Sequence, residues 1–481
     1  MMLAIQDYVR EGFGTREYFN HTTVHPIALL ALIGLCAATA LLSRRWLLLP
    51  TLILACVVPQ GQRIVVAGLD FSFMRVILLV AAARVFFRGE WRDVRPCPLD
   101  RAIIVWSVVA FVGAVLQIGN VGAVIFRAGL AYDMLAAYAL CRVALREWED
   151  IDRTVTWLIF LALGSVLFFL FEKKTGRNLF AIMGGVPEFS HVRNGKVRAQ
   201  GPFVHAILAG CYWAVLLPLF GAKLRHPLLR HRALGVAGLI AIVAIVFACA
   251  SSTPLMIVGC CGLGAMVYLL RHRMNQVRLA TFTGLFALHL YMKQPVWHLI
   301  ARIDVVGGST GWHRYKLIQS AIDNFHEWWL CGIPSTAHWG YFMFDVTNQY
   351  VLEGVRSGFV AMLAFIWVFV WAYSHVGATW RTVTESRYLS SLSWGMGVAT
   401  FAHMVVFLAV SISHAQQNLL VFFLIFGMIG SAWPTLEQRM ATKDAERDAD
   451  AAATSDDGAV GDRERRESDP RDGTLGAPLH A

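Results

Sequence analysis

Three short stretches of this 481-residue chain gather side chains suited to holding anions and moving protons. The first is Val197-Arg198-Ala199-Gln200-Gly201-Pro202-Phe203-Val204-His205-Ala206, at the threshold of a long apolar run. Arg198 has no carboxylate close by in sequence, so its planar fork of donors is available for a bidentate grip on phosphate. The same position also suits an interfacial arginine whose head snorkels to water. The second stretch, Gly311-Trp312-His313-Arg314-Tyr315-Lys316, sets Arg314 and Lys316 where an amphipathic pattern begins. Unpaired N–H groups and the helix dipole favour anions there, although ordinary juxtamembrane positive charge accounts for the residues equally well. The third runs from Phe344 through Asp345, Thr347, Asn348, Tyr350, Glu353 and Arg356 to Gly358, directly ahead of another apolar run. Polar groups at a membrane boundary are costly unless used or paired. Glu353 and Arg356, at i, i+3 spacing, read as a local ion pair, and Asn348 as a helix cap.

The elements that must position these residues are membrane helices. The chain is 57% hydrophobic and 15% charged, with mean hydropathy +0.55, against roughly half apolar and a quarter charged for a soluble domain. That balance excludes a secreted disulfide scaffold, a cytosolic α/β enzyme and a disordered regulator. A helix needs about 20 mostly apolar residues to cross the hydrocarbon core. Candidate spans are 26–42, 46–60, 70–87, 102–118, 124–141, 154–171, 204–221, 234–250, 254–270, 279–292, 357–378, 390–410 and 417–433. The pair flanking Ser251-Ser252-Thr253-Pro254 also reads as one broken helix with a re-entrant piece. The expected fold is an all-α polytopic membrane bundle of about 12 or 13 spans. It occupies 26–433, after an N-terminal segment 1–25 and before a charged, aromatic-poor tail, 434–481, expected to be disordered.

The formal charge of +10 is concentrated in short clusters between apolar runs, which is a topological signal and not a nucleic-acid footprint. Arg44-Arg45 and the clusters within 88–101, 142–153, 223–232, 271–278 and 381–387 alternate with basic-poor loops at 61–69, 119–123, 251–253 and 411–416. The basic clusters are expected on the cytoplasmic side. The basic-poor loops are expected outside, together with two long loops, 172–203 and 293–356. Apolar positions 317, 318, 321, 322 and 325 predict an amphipathic helix over 314–331 at the interface. The N-terminus lacks the pattern of a removable signal peptide. The nine cysteines lie almost wholly in apolar runs without ligand spacing, and His403 and His414 lack a second ligand nearby, so no metal is expected. Arg75, within DFSFMRVILLV, is expected to pair with Asp70 or to reach an external cavity.

Taken together, Arg198-Ala-Gln-Gly-Pro-Phe-Val-His205, the segment from Gly311 to Trp329 followed by Cys331-Gly332-Ile333, and Thr347-Asn348 with Gly358 after nine intervening residues resemble the three signatures of the bacterial O-antigen ligase and polymerase family. Their order and topology agree across most of 60–433. The resemblance implies a multispan inner-membrane glycosyltransferase that acts at the periplasmic face without cofactor. It would move a glycan from undecaprenyl diphosphate to the next repeat unit of O-antigen or exopolysaccharide, or to lipid A-core. A transporter of lipid-linked glycan that binds without catalysis is the competing expectation. Implied partners are the lipid-linked oligosaccharide, the bilayer and other polysaccharide assembly proteins. Arg198 and Arg314, with Lys316, are the implied diphosphate clamp, and Asn348, Tyr350 and His205 the implied positioning residues. Where ligases carry a histidine this chain has Thr347, whose hydroxyl is no base near neutral pH. Asp345 is the best substitute, followed by His338 and His313, and the change favours a polymerase over a ligase.

Overall fold

The computed structural model describes residues 21–118, 121–302 and 311–434, with residues 438 and 444 beyond them. Most of segment 1–25 and nearly all of the expected tail 434–481 lie outside the described residues. Every apolar segment expected to span is helical: α1 (Pro26–Leu41), α2 (Leu49–Val57), α3 (Phe73–Phe87), α4 (Pro98–Ile118), α5 (Val121–Ala144), α6 (Trp148–Thr175), α7 (Ala206–Ala214), α8 (Leu217–Ala222), α9 (Leu229–Cys249), α10 (Ser252–Val267) and α11 (Met274–Tyr291). The second half adds α12 (Gly311–Asp323), α13 (Phe325–Trp328), α14 (Gln349–Ser357), α15 (Phe359–Thr382), α16 (Arg387–Phe407) and α17 (Gln416–Ser431). Eight helical runs among the described residues are long and apolar enough to cross a membrane, and α1 and α17 are shorter apolar helices. The chain is therefore an all-α, multipass membrane protein. Among the described residues, the strands form two hairpins, β1 (Arg63–Val66) with β2 (Leu69–Ser72) and β3 (Val192–Arg193) with β4 (Lys196–Val197).

The expected break at Ser251 is present, because Ala250 turns left-handed at φ 43° and ends α9. The expected separate spans 254–270 and 279–292 instead join through a 3-10 stretch into one run from Ser252 to Tyr291. The 3-10 stretch, Tyr268–Arg273, enters the basic cluster 271–278, and α11 begins after Arg273, which departs from helical geometry at φ −111° and ψ 27°.

The centre of the bundle is α17, buried from Gln416 to Gly430. Its aromatic face, Phe422, Phe423 and Phe426, packs against Phe369, Phe407 and Trp106. A helix apolar on all sides belongs inside. Its polar first turn is pinned by buried bonds: Gln416 accepts from Ser72 (2.6 Å) and donates to Asp133 (3.0 Å), Gln417 donates to the Ala55 carbonyl (2.8 Å), and Asn418 to that of Leu208 (3.0 Å).

Charge sorts the two ends of the bundle. At one end the basic clusters meet carboxylates: Arg44 with Asp150, Arg84 with Glu90, Arg142 with Asp100, Arg146 with Asp93, and Lys223 with Asp152, at 2.5–2.9 Å. At the other end the basic-poor loops gather with the long loops. The 28-residue α6, about 42 Å long at 1.5 Å per residue, joins the two.

The second long loop has its own small core, in which Leu317 and Ala321 of α12 pack with Trp328, Ile333, Met343, Val351 and Val355. The expected continuous helix over 314–331 stops at Asp323, leaves helical geometry at Asn324 and ends after α13. Trp328 thereby folds back and donates from its indole to the Ala321 carbonyl at 2.8 Å.

Candidate functional site

The loops at the second end enclose a cavity of about 670 Å³. Its lining draws on every basic-poor loop except 251–253, and on both long loops. Arg198 and Arg314 both face it, as do Asp345, Thr347, His205, His414 and Arg75. Residues more than 100 positions apart in sequence are thus assembled at one place.

Arg198 follows the β3–β4 hairpin, whose Asn194-Gly195 turn has both residues at positive φ (51° and 70°), the geometry that such a two-residue hairpin favours. The hairpin sets Arg193 beside Arg198, and Arg314 reaches the same place from the first turn of α12. Arg198 is 5% exposed and Arg314 8%. Among the described residues, no carboxylate pairs with any of the three. Arg314 donates to the Thr253 hydroxyl at 3.2 Å, and the Nε atoms of Arg198 and Arg314 are buried without a partner. Burial and the neighbouring Arg193 push both guanidinium pKa values down, yet an arginine stays charged at any physiological pH. Three cations therefore face one volume without a counter-ion. His205, 3.1 Å from the Ile207 N–H that it caps, is pushed down to about 4 by burial and then by Arg198 and its basic neighbours. It is neutral.

The other cations of the cavity each have a partner within the protein. Arg75 meets Asp133 through two parallel bonds of 2.8 Å and also donates to the Asp70 carbonyl, while the Asp70 carboxylate takes Arg63 at 2.6 Å. The expected Arg75–Asp70 ion pair is replaced because Asp133, one helix away on α5, offers a buried carboxylate in line with the guanidinium. Arg356 donates to His414 Nε2 at 2.8 Å, and the His414 carbonyl accepts from Gln60. The expected Glu353–Arg356 ion pair does not form. Glu353 turns inward and accepts from Gln349 (2.7 Å) and Trp106 (3.1 Å), because α14 faces the bundle there.

Asp345 is the one carboxyl at the site, among the described residues, whose oxygens accept no hydrogen bond. Burial alone pushes its pKa up to about 7. Its backbone carbonyl lies 3.2 Å from His313 Nε2. Thr347 lines the cavity, although its hydroxyl is buried without a partner.

Several expected site residues are elsewhere. Lys316 is exposed, with its ammonium 5.9 Å over the Trp312 ring. Two residues past Arg314 on a helix is about 200° round, so both cannot face the cavity. His338 is held outside by Glu327 at 2.8 Å. Tyr350 points into the bundle among Phe365, Phe369 and Phe407 and donates to the Met404 carbonyl at 3.1 Å. Asn348 is buried, caps α14 by accepting from the Val351 N–H (3.1 Å), and ties it to the Leu408 carbonyl (3.3 Å). It positions the Asp345–Thr347 segment and does not line the cavity.

The glycines of the second and third motifs serve one backbone crossing. Gly332 (φ 85°) and Gly358 (φ 91°) lie where residues 330–333 pass against 355–358, with Ile333 N–H to Val355 O at 2.7 Å and Phe359 N–H to Trp329 O at 2.8 Å. A Cβ at Gly358 would stand 2.2 Å from the Leu330 oxygen. The crossing anchors α12, carrying Arg314, to α14, which follows Asp345.

Arg193, Asp133 and Gln416 were missed in the sequence. Arg193 was legible in principle from its Arg-Asn-Gly-Lys turn, whereas Asp133 and Gln416 sit within apolar helices and declare themselves only by contact. For a metal, the candidate group among the described residues is Asp152, His226 and His231 at the far end. Lys223, 2.5 Å from Asp152, and Tyr388 already occupy that carboxylate. All nine cysteines are free thiols.

No protein-family model matches the chain, and no curated protein matches it.

Proposed function

We propose that the chain is a metal-independent membrane glycosyltransferase that transfers a glycan from undecaprenyl diphosphate, most directly in polymerising O-antigen or exopolysaccharide repeat units at the periplasmic face of the bacterial inner membrane. The observation that carries this reading is the convergence of Arg193, Arg198 and Arg314, without a carboxylate, at one end of a cavity that also holds Asp345. A departing diphosphate concentrates negative charge, and fixed donors in a dry site stabilise that charge as it develops. The rest of the lining suits the rest of such a substrate. Leu79, Ile125, Phe126, Leu130, Ile207 and Leu208 form an apolar flank. Leu79 and Ile125 are about half exposed, 53% and 47%, at the outer surface, so a polyprenyl tail can lie against them and continue into lipid.

In the transfer, the arginines hold the diphosphate as the glycosidic C–O bond to it breaks. Asp345 takes the proton of the acceptor hydroxyl as its oxygen bonds to the anomeric carbon. A carboxylate with a pKa near 7 is a stronger base than an ordinary one, and about half of it is ionised at neutral pH. His414 is the poorer candidate because Arg356 occupies its Nε2 lone pair.

The test is polysaccharide analysis in cells lacking the chain, complemented with wild type or with Arg198→Ala plus Arg314→Ala. A single repeat capped on lipid A-core, or loss of long exopolysaccharide, supports the polymerase. Bare core with long chains retained on undecaprenyl diphosphate indicates the ligase instead. Full rescue by the double variant overturns the clamp.

A further inference from the structure

The last turn of α6 and the segment carrying Arg198 are tied by a set of contacts with no part in the chemistry above. Glu172 is 1% exposed and has no cationic partner. Its Oε1 accepts from the Ser190 hydroxyl at 2.7 Å and from the Gln200 N–H at 2.9 Å, and its Oε2 from the Gly201 N–H at 2.9 Å. The next residue, Lys173, donates from Nζ to the Val197 carbonyl at 2.6 Å. Consecutive side chains thus seize the backbone on both sides of Arg198, one residue before it and two and three residues after it.

A buried carboxylate without an ion pair is costly, and a loop that needed only to be closed could be held by backbone bonds. Such bonds exist here: the Arg198 N–H reaches the His191 carbonyl at 3.1 Å and the Ala199 N–H that of Ala248 at 3.1 Å. What backbone bonds do not supply is resistance to the drift of a guanidinium that has no partner and that Arg193 repels.

We infer that Glu172 and Lys173 are positioning residues that lock the Arg198 backbone to the rigid end of α6, so that the guanidinium is held at the diphosphate site when the site is empty. The inference rests on the diphosphate reading of Arg198. A displacement of about 1 Å in such a group can cost a hundredfold in rate, which is the scale on which the clamp acts.

Glu172→Gln keeps the shape but turns an NH2 toward a backbone or hydroxyl donor in either amide orientation, so at least one of the three bonds is lost. Binding of undecaprenyl diphosphate to the full chain in detergent is measured for Glu172→Gln, Arg198→Ala and the double variant. The expected result is binding weakened on the order of tenfold by Glu172→Gln, with no further loss when it is added to Arg198→Ala, since the clamp then has nothing to position. Independent, multiplying effects overturn the inference and leave the diphosphate site standing, as does unchanged binding in Glu172→Gln. No effect of Arg198→Ala overturns the diphosphate reading itself. If Glu172→Gln fails to fold, Lys173→Met, which removes only the bond to Val197, carries the same test against Arg198→Ala, and multiplying effects there overturn the positioning role as well.

Discussion

Replacing Arg198 by methionine separates a cation kept for a ligand from one kept for the fold, because the two roles predict opposite signs. Methionine preserves the apolar stem and removes the charge. Arg198 is 5% exposed, lacks a carboxylate, leaves Nε without a partner and has Arg193 and Arg314 at the same cavity. In the empty protein it therefore contributes desolvation cost and like-charge repulsion with little return. Removing it should leave the thermal midpoint of the ligand-free protein unchanged or raise it. A paired buried arginine behaves the other way, losing about 3–5 kcal/mol when the pair is broken. With ligand the sign reverses. A charge-assisted hydrogen bond contributes about 1.5–3 kcal/mol, which at 1.4 kcal/mol per decade is roughly 10- to 150-fold in affinity. Arg193 and Arg314 remain, so binding weakens without vanishing. If the arginine stabilises leaving-group charge, the rate of transfer should fall by about 10² to 10³. Arg198→Lys keeps the charge and loses the fork, so it should fall between. The assay is a thermal melt of the detergent-purified chain with and without undecaprenyl diphosphate, followed by direct titration. A lower ligand-free midpoint together with binding within twofold of wild type would refute the reasoning, making Arg198 a structural cation.

Transfer should rise about tenfold per pH unit up to roughly pH 7 and level off above, since the Asp345 carboxyl, raised to about 7 by burial, must be ionised to accept a proton. Asp345→Asn should abolish transfer while diphosphate binding persists, and a pH–rate profile free of that limb in the wild type would exclude Asp345 as the base. Asp133→Asn, which breaks the two-bond pair with Arg75 and the bond from Gln416, should lower stability by about 3–5 kcal/mol, read as a fall in the melting midpoint. Gly358→Ala places a Cβ 2.2 Å from the Leu330 oxygen at φ 91°, and should cost about 1–3 kcal/mol or more from strain, with diphosphate binding lost in step with the melt. Lys316→Ala and His338→Ala should change transfer less than twofold, because neither side chain reaches the cavity; a tenfold loss from either would mean the second loop is arranged differently during the reaction.

The membrane architecture was legible because it is written in long-range composition, and each expected apolar segment is a helix. The alternation of basic clusters also foretold which loops meet, since the cavity draws on the basic-poor loops 61–69, 119–123 and 411–416 together with the two long loops. The site was legible only where a side chain's role follows from its neighbours in the chain. Arg198 and Arg314 stand at the edges of helices, and their surroundings are visible within ten residues. Lys316 was misjudged through helical phase: a charge two positions on is a neighbour in sequence and a stranger in space. Glu353 and Arg356 satisfied the rule for an i, i+3 pair, yet Trp106 on α4 takes Glu353 and His414 before α17 takes Arg356, partners far away in sequence.

The same competition explains why the cavity holds two kinds of cation. Arg63, Arg75 and Arg356 are each met by a group from within the bundle or its loops, and these pairs join the β1–β2 hairpin, α3, α5 and the loop before α17 into one wall. Arg193, Arg198 and Arg314 come from the two long loops, three of whose carboxylates are committed elsewhere, Glu172 to backbone N–H groups, Glu188 to Arg177 and Glu327 to His338, while Asp345 lines the same cavity without pairing with an arginine. Had Glu172 turned toward Arg198, one of the three unpaired charges would be quenched. Spending that carboxylate on the Gln200 and Gly201 amides fixes the backbone of Arg198 and leaves its charge unquenched, an arrangement that favours an anionic ligand over the stability of the empty protein.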